Sequence, residues 1–171
     1  MAIPRFVPVR PLPPYAFVPG RHPHPESDPA GHSFGVARAA VAAVEAQTWQ
    51  GSEPYLFGLD LFNHGYYWEA HVEFEALWHA AGRHGTTADF LKGLIRLAAA
   101  GVKQRAGNAR VVRSHAEKAA GLWRGVERGM AGEEGRFLGL RVRELIELAE
   151  GIGVQGWPAE SPLLVPAFPA G

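Results

Sequence analysis

Apolar residues recur at three- and four-residue spacing from about residue 33 to residue 152, and no segment alternates convincingly with a period of two. That spacing puts them on one face of a helix, whereas a half-buried strand needs alternation. The first such run starts at Ser33, a capping residue, and reaches about Thr48, with Val36, Ala40, Val41 and Val44 on one side. A short helix over 54–62 follows, broken by Asn63 and Gly65, then a helix from about Tyr66 to Ala80. Thr86 and Thr87 offer caps for the next, which runs to about Arg105 and buries Phe90, Leu91, Leu94, Ile95, Leu97, Ala98 and Val102. Gly107 and Asn108 end it. Val111 to Arg128 buries Val112, Ala116, Ala119, Leu122, Trp123 and Val126. A last helix is expected from Glu133 to Glu150, with Phe137, Leu140, Leu145, Ile146, Leu148 and Ala149 inward. The predicted class is all-α: a compact helical bundle with short loops.

Both ends break this pattern. Residues 1–32 are rich in proline, which locks φ and removes a backbone donor, so they predict an extended N-terminal arm. Residues 153–171 read the same way, as a proline-rich C-terminal tail. Both carry large apolar side chains, among them Phe6, Tyr15, Phe17, Trp157, Leu163 and Phe168, which a disordered tail would usually lack. The expected organisation is therefore an arm packed on the domain (1–32), a helical bundle (33–152) and a tail (153–171).

Composition narrows the function classes. Lys+Arg and Asp+Glu balance at 17 each, so no basic excess asks for nucleic acid. Cysteine is absent, which removes disulfides, thiolate metal sites and a cysteine nucleophile. Prolines interrupt the N-terminal apolar run that a signal peptide needs, and no apolar run approaches the roughly 18 residues of a membrane span. A soluble, cytoplasmic protein with no nucleic-acid or membrane partner is the expectation.

The densest chemistry lies in "FNHGYYWEAHVEFEALWHAAG", residues 62–82. On a helical wheel with His64 at zero, His71 falls at about 340°, Glu75 at about 20°, Trp68 at about 40°, Trp78 at about 320° and His79 at about 60°. Glu69 and Glu73 fall on the far side, at about 140° and about 180°. The two tryptophans predict that the His71/Glu75 face points inward and that Glu69 and Glu73 are the more exposed. His71 and Glu75, one turn apart, could share a metal ion or activate a water, or could simply satisfy one another inside the bundle. A buried glutamate needs a further partner either way.

A second polar cluster lies in the arm, where His22, His24 and His32 stand beside Glu26 and Asp28 among prolines. It is either a solvated loop or a set of further ligands that folds over His71 and Glu75. His115 is another possible third group, and His84, between Gly82 and Gly85, is expected to be exposed. Lys92, Arg96 and Lys103 form a basic line that is either a solvated face or an anion site. Nucleophile elbows, Walker loops and dinucleotide fingerprints are absent, and Val72 after His71 rules out H-E-x-x-H.

"LFNHGYYWEAHVEFEALW" and "FLKGLIRLAAAGVKQRAGN" resemble the two signatures of domain of unknown function family 309, and "LPPYAFVPGRHPHPESDPAGHSFG" resembles the arm that precedes the domain in many bacterial members. The resemblance covers about residues 10 to 130. It implies a small all-helical domain and no assigned activity. Carried over residue by residue, its signature positions here are Asn63, Gly65, Glu69, Ala70, His71, Glu75, Trp78, Gly93 and Ile95. The departure is Val72, where the family usually has Glu; this removes one carboxylate from a di-metal reading.

Three functions compete. The first is a metal-binding protein or metal-dependent hydrolase, with His71 and Glu75 as catalytic pair and His71, Glu75, His22, His24 and His32 as ligands of a divalent metal ion. The second is a non-catalytic interaction module, since the helix pair around Gly65 looks tetratricopeptide-like, although no second copy occurs. The third is a small-molecule binding protein with a pocket lined by Trp68 and Trp78. A homo-oligomer is open on all three, and the sequence names no small-molecule ligand.

Overall fold

A computed structural model describes residues 3–130 and 135–168. Five helices carry the fold: α1 (Glu53–Asn63), α2 (Tyr67–Ala80), α3 (Thr86–Arg105), α4 (Ala109–Gly129) and α5 (Val142–Gln155). A single 3-10 turn, Trp49–Gly51, leads into α1. Between α4 and α5 lies a two-stranded antiparallel hairpin, β1 (Arg136–Phe137) and β2 (Leu140–Arg141). Each helix packs on the next in sequence, with α3 between α2 and α4. Short connections enforce this, and a left-handed glycine stands in each: Gly65, Gly82 and Gly85, and Gly107. Asn108 caps α4 by accepting the Val111 amide at 3.2 Å.

α3 is the central helix because it is apolar almost all round. Every residue predicted for its buried face is buried, as are Gly93 and Gly101. An aromatic ring over a glycine keys each of the first three helix contacts. Phe74 of α2 lies on Gly58 of α1, Tyr67 of α2 on Gly101 of α3, and Trp123 of α4 on Gly93 of α3. A Cβ at any of these glycines would collide with the ring, so the helices pack at a distance that only glycine allows.

Two expected helices are corrected. Residues 36–45 form no helix; Val36 is exposed and only Val44 is fully buried. A short isolated helix is marginal in water, and this run offers too few covered side chains to hold one. The last helix starts at Val142. Of its expected beginning, Glu133 and Glu134 lie outside the described residues. Gly135, Leu138 and Gly139 all have positive φ (58°, 46° and 79°), which no helix accommodates. Leu138 and Gly139 instead make the two-residue turn of the hairpin, the geometry that needs positive φ at both central positions. Tyr55 fixes that turn, its buried hydroxyl donating to the Leu138 carbonyl at 2.8 Å.

The arm and the tail run along the bundle as straps. In the arm Val7, Phe17 and Val18 are buried. In the tail Leu164 and Pro166 are buried, while Leu163 and Phe168 are exposed. Asn63, at the end of α1, holds the tail: its Nδ2 donates to the Leu164 carbonyl and its Oδ1 accepts the Leu164 amide.

Candidate functional site

The core stripe of α2 is Tyr67, Ala70, Phe74 and Leu77, all buried, at spacings of three and four. On the wheel it centres at about 260°. Both polar groups of α2 are therefore flanks of this stripe: Glu69 and Glu73 on one side, Trp78, His71 and Glu75 on the other. The expected orientation is overturned. Glu69 and Glu73 are 5% and 8% exposed, and His71 and Glu75 are only half-buried. The tryptophans misled because neither is covered by the bundle interior. Trp68 packs edge-on against Phe17 and His24 of the arm, with ring centroids at 5.4 Å and 5.2 Å. Trp78 lies under the Lys92 ammonium, 3.8 Å from the ring centroid.

On the Glu69/Glu73 flank, three buried carboxylates receive the arm. Asp60 of α1, wholly buried, accepts the Phe6 amide at 2.7 Å, the Val7 amide at 2.8 Å and Arg5 Nε at 3.2 Å. Glu73 accepts from Arg10 Nη2 at 2.8 Å, and the same guanidinium stacks 3.8 Å over the Phe57 ring. Glu69 Oε1 accepts the Phe17 amide at 2.9 Å and lies 3.0 Å from His32 Nε2. With Nε2 donating, His32 Nδ1 accepts from Ser33 Oγ at 2.9 Å. A buried carboxylate without donors would be costly, and these donors all come from the arm. Glu69 Oε2 alone stays buried without a partner.

The arm histidines stay on this flank. Val18 N–H donates to His22 Nδ1, and the amides of Glu26 and Ser27 donate to His24 Nδ1. His22 also stacks on Tyr15 at 5.2 Å. The ligands expected for a divalent ion thus fall in two places, His22, His24 and His32 on one flank and His71 and Glu75 on the other. Among the described residues no group of three or more His, Asp or Glu is arranged to hold a metal ion. Between α1–α2 and the non-helical 33–42 segment lies an open cleft of about 810 Å³, whose lining includes Arg10, His32, Phe57, Trp68, Glu69 and Glu73.

The opposite flank is cationic. Burial pushes the His71 imidazole below its ordinary 6.5; Glu75 opposes this, and Lys92 and Arg96 reinforce it. His115 of α4 is lowered first by burial and then by Arg96, Lys118, Lys103 and His71. The Nδ1 atoms of both histidines are buried without a partner. Gly65, another signature position, makes the α1–α2 turn at φ 81°, where a side chain would overlap the Arg105 guanidinium.

Asp60, Arg5 and Arg10 were missed as site residues in the sequence. A trace existed for Asp60: it is a lone acid inside the apolar run YLFGLDLFN, and such a charge must find donors.

Residues 55–114, from α1 to the start of α4, match the family described as Domain of unknown function (DUF309). The resemblance drawn from the two helical signatures holds over this segment, which excludes the arm. No curated protein and no solved structure matches the chain.

Proposed function

We propose that the DUF309 domain of this chain is a non-catalytic interaction module whose α1–α2 flank is a receptor for an extended, proline-rich, arginine-bearing segment. In this chain the arm takes that place. The observation that carries the reading is that Asp60, Glu69 and Glu73 are all buried and all accept from the arm. The recognition chemistry is general. An extended segment cannot pair its own amides, so it offers N–H groups at intervals, and each buried carboxylate takes one or two. Arg10 supplies an anchor through a charged hydrogen bond and an aromatic face together. Phe17 and Val18 add burial of about 1.5–3 kcal/mol each.

The metal-dependent hydrolase reading lacks a third donor beside His71 and Glu75 among the described residues. A small-molecule reading has one supporting observation, the cleft with the unpartnered Glu69 Oε2 at its edge.

The test uses the full chain with Arg5→Ala and Arg10→Ala, which loosens its own arm, and a labelled peptide of residues 3–18 added in trans. Fluorescence anisotropy should show saturable peptide binding, at least about tenfold tighter than to wild type, and Asp60→Asn in the same background should abolish it. A folded double variant whose Val7 and Phe17 amides exchange freely, yet which takes up no peptide, would sink the reading.

A further inference from the structure

α3 is buried on nearly every side, and its open line is narrow: Asp89, Lys92, Arg96, Ala99 and Lys103, at spacings of three, four, three and four. α2 packs on one side of α3 and α4 on the other. The α2 stripe beside this line is His71, Glu75 and Trp78, and the α4 stripe is His115 and Lys118. The result is a shallow groove with a cationic floor between two histidine-bearing walls. Its carboxylates are Glu75 on the α2 wall and Asp89 at the first turn of the floor. Among the described residues, Lys92, Arg96, Lys103 and Lys118 form no ion pair with any carboxylate within 4.0 Å. Elsewhere some arginines find carboxylates, as Arg10, Arg38, Arg124 and Arg143 do, and others such as Arg83 and Arg110 do not; what sets these four cations apart is that they share one groove. In a chain of zero formal net charge, such a concentration of unpaired cations is a local choice.

Two further features suit a ligand. Lys92 is held over Trp78 at 3.8 Å, so its ammonium is positioned. The Nδ1 atoms of His71 and His115 are buried and unpartnered, an arrangement that is costly unless a charge or a proton comes to it.

We propose that this groove binds a phosphate-type oxyanion, held by Arg96 at its centre, by Lys92 and Lys103 along the floor, and by His71 and His115 at the walls. Arg96 is the residue that acts on both histidines, and its planar guanidinium suits two oxygens of a tetrahedral anion. Burial and the neighbouring cations lower the pKa of both rings; among the causes Glu75 acts the other way, on His71. An anion seated beside them reverses that balance, so binding takes up protons and strengthens as pH falls.

The experiment is a titration of the full-length protein with inorganic phosphate at constant ionic strength, followed through the histidine ring resonances. Saturable shifts are expected at His71 and His115 and not at His79 or His84. Referred to the phosphate dianion, affinity should rise as pH is lowered from about 8 to about 6, and both ring pKa values should rise on saturation. Arg96→Gln should weaken binding at least about tenfold, the loss of one charged hydrogen bond, and Lys103→Gln should weaken it measurably. Arg124→Gln, whose side chain pairs with Glu150 instead, should leave it unchanged. Shifts that never saturate, or equal affinity in wild type and a folded Arg96→Gln or Lys103→Gln variant, would overturn the proposal.

Discussion

Asn63 and Leu164 stand 101 positions apart and exchange two hydrogen bonds, Asn63 Nδ2 to the Leu164 carbonyl at 2.9 Å and the Leu164 amide to Asn63 Oδ1 at 2.7 Å. A single side chain thus imitates the backbone of a neighbouring strand. An aspartate would lose the donor and an alanine would lose both contacts.

Asn63→Ala should therefore release the tail. The expected cost is about 1–3 kcal/mol, because the buried amide and carbonyl of Leu164 are left without partners. Denaturant unfolding reads the stability, and hydrogen exchange should show the Leu164 amide losing protection while α3 keeps its own. Retained protection at Leu164 would show that the tail is held by its apolar contacts alone.

Asp60→Asn keeps the size of the side chain and removes its charge. It also turns an NH2 group toward at least one of the donors that the carboxylate now accepts, Arg5 Nε and the Phe6 and Val7 amides. A loss of about 1.5–3 kcal/mol is expected, the range for hydrogen bonds to a charged group. Thermal melting of variant and wild type side by side measures it, and limited proteolysis should cut first within residues 3–10. An unaltered melt would mean that the Asp60 contacts contribute nothing to stability.

Gly93→Ala adds one methyl group where the Trp123 indole crosses α3. The new atom would overlap the ring, whose Nε1 donates to the Phe90 carbonyl at 3.1 Å. Alanine favours a helix over glycine by up to about 1 kcal/mol, but a rigid buried ring cannot yield cheaply, and overpacking of about 1–3 kcal/mol should win. Gly121→Ala on the open side of α4 is the control, since nothing lies within 4 Å of its added Cβ. That variant should be neutral or slightly stabilised. Equal melting temperatures for the two variants would contradict the packing described.

Stability should also depend on pH near neutrality. Burial lowers the pKa of His71 and of His115 from 6.5. Between the lowered value and about 6.5 the unfolded chain binds protons that the folded chain does not, so stability rises with pH there. It is fully present above about pH 6.5 and is lost as pH falls toward the folded pKa values. Urea midpoints measured from about pH 8 down to about pH 5 should decline, and a His71→Gln/His115→Gln double variant should decline less. Equal slopes would mean that other groups carry the acid limb.

How far the sequence could be read depended on distance along the chain. α3 and the inward face of α4 were legible because their partners are neighbouring helices, and spacing alone reports such burial. The 33–48 helix was misread because a run such as ARAAVAAVE has helical propensity but lacks a face to bury. The flank of α2 was misread for another reason. Glu69 looked like a solvent-facing residue, and its donors, the Phe17 amide and His32, are 52 and 37 positions away. Nothing in the local pattern announces a partner that far off. The packing of α1 on α2 and the turn at Gly65 were local, and were legible.

The two straps also impose an order of assembly on a chain emerging from the ribosome. The helices meet their neighbours in sequence, so α1 to α4 can close as they appear. The arm comes out earlier but waits: Asp60 follows Arg5 by 55 positions, and Glu73 follows Arg10 by 63. Leu164 comes last of all, and until it arrives Asn63 faces water with its amide unclaimed. A newborn chain thus passes through an interval with a finished bundle, a settled arm and one open seam along α1. Of the strap contacts described, the Asn63–Leu164 pair is the one whose second partner is synthesised latest.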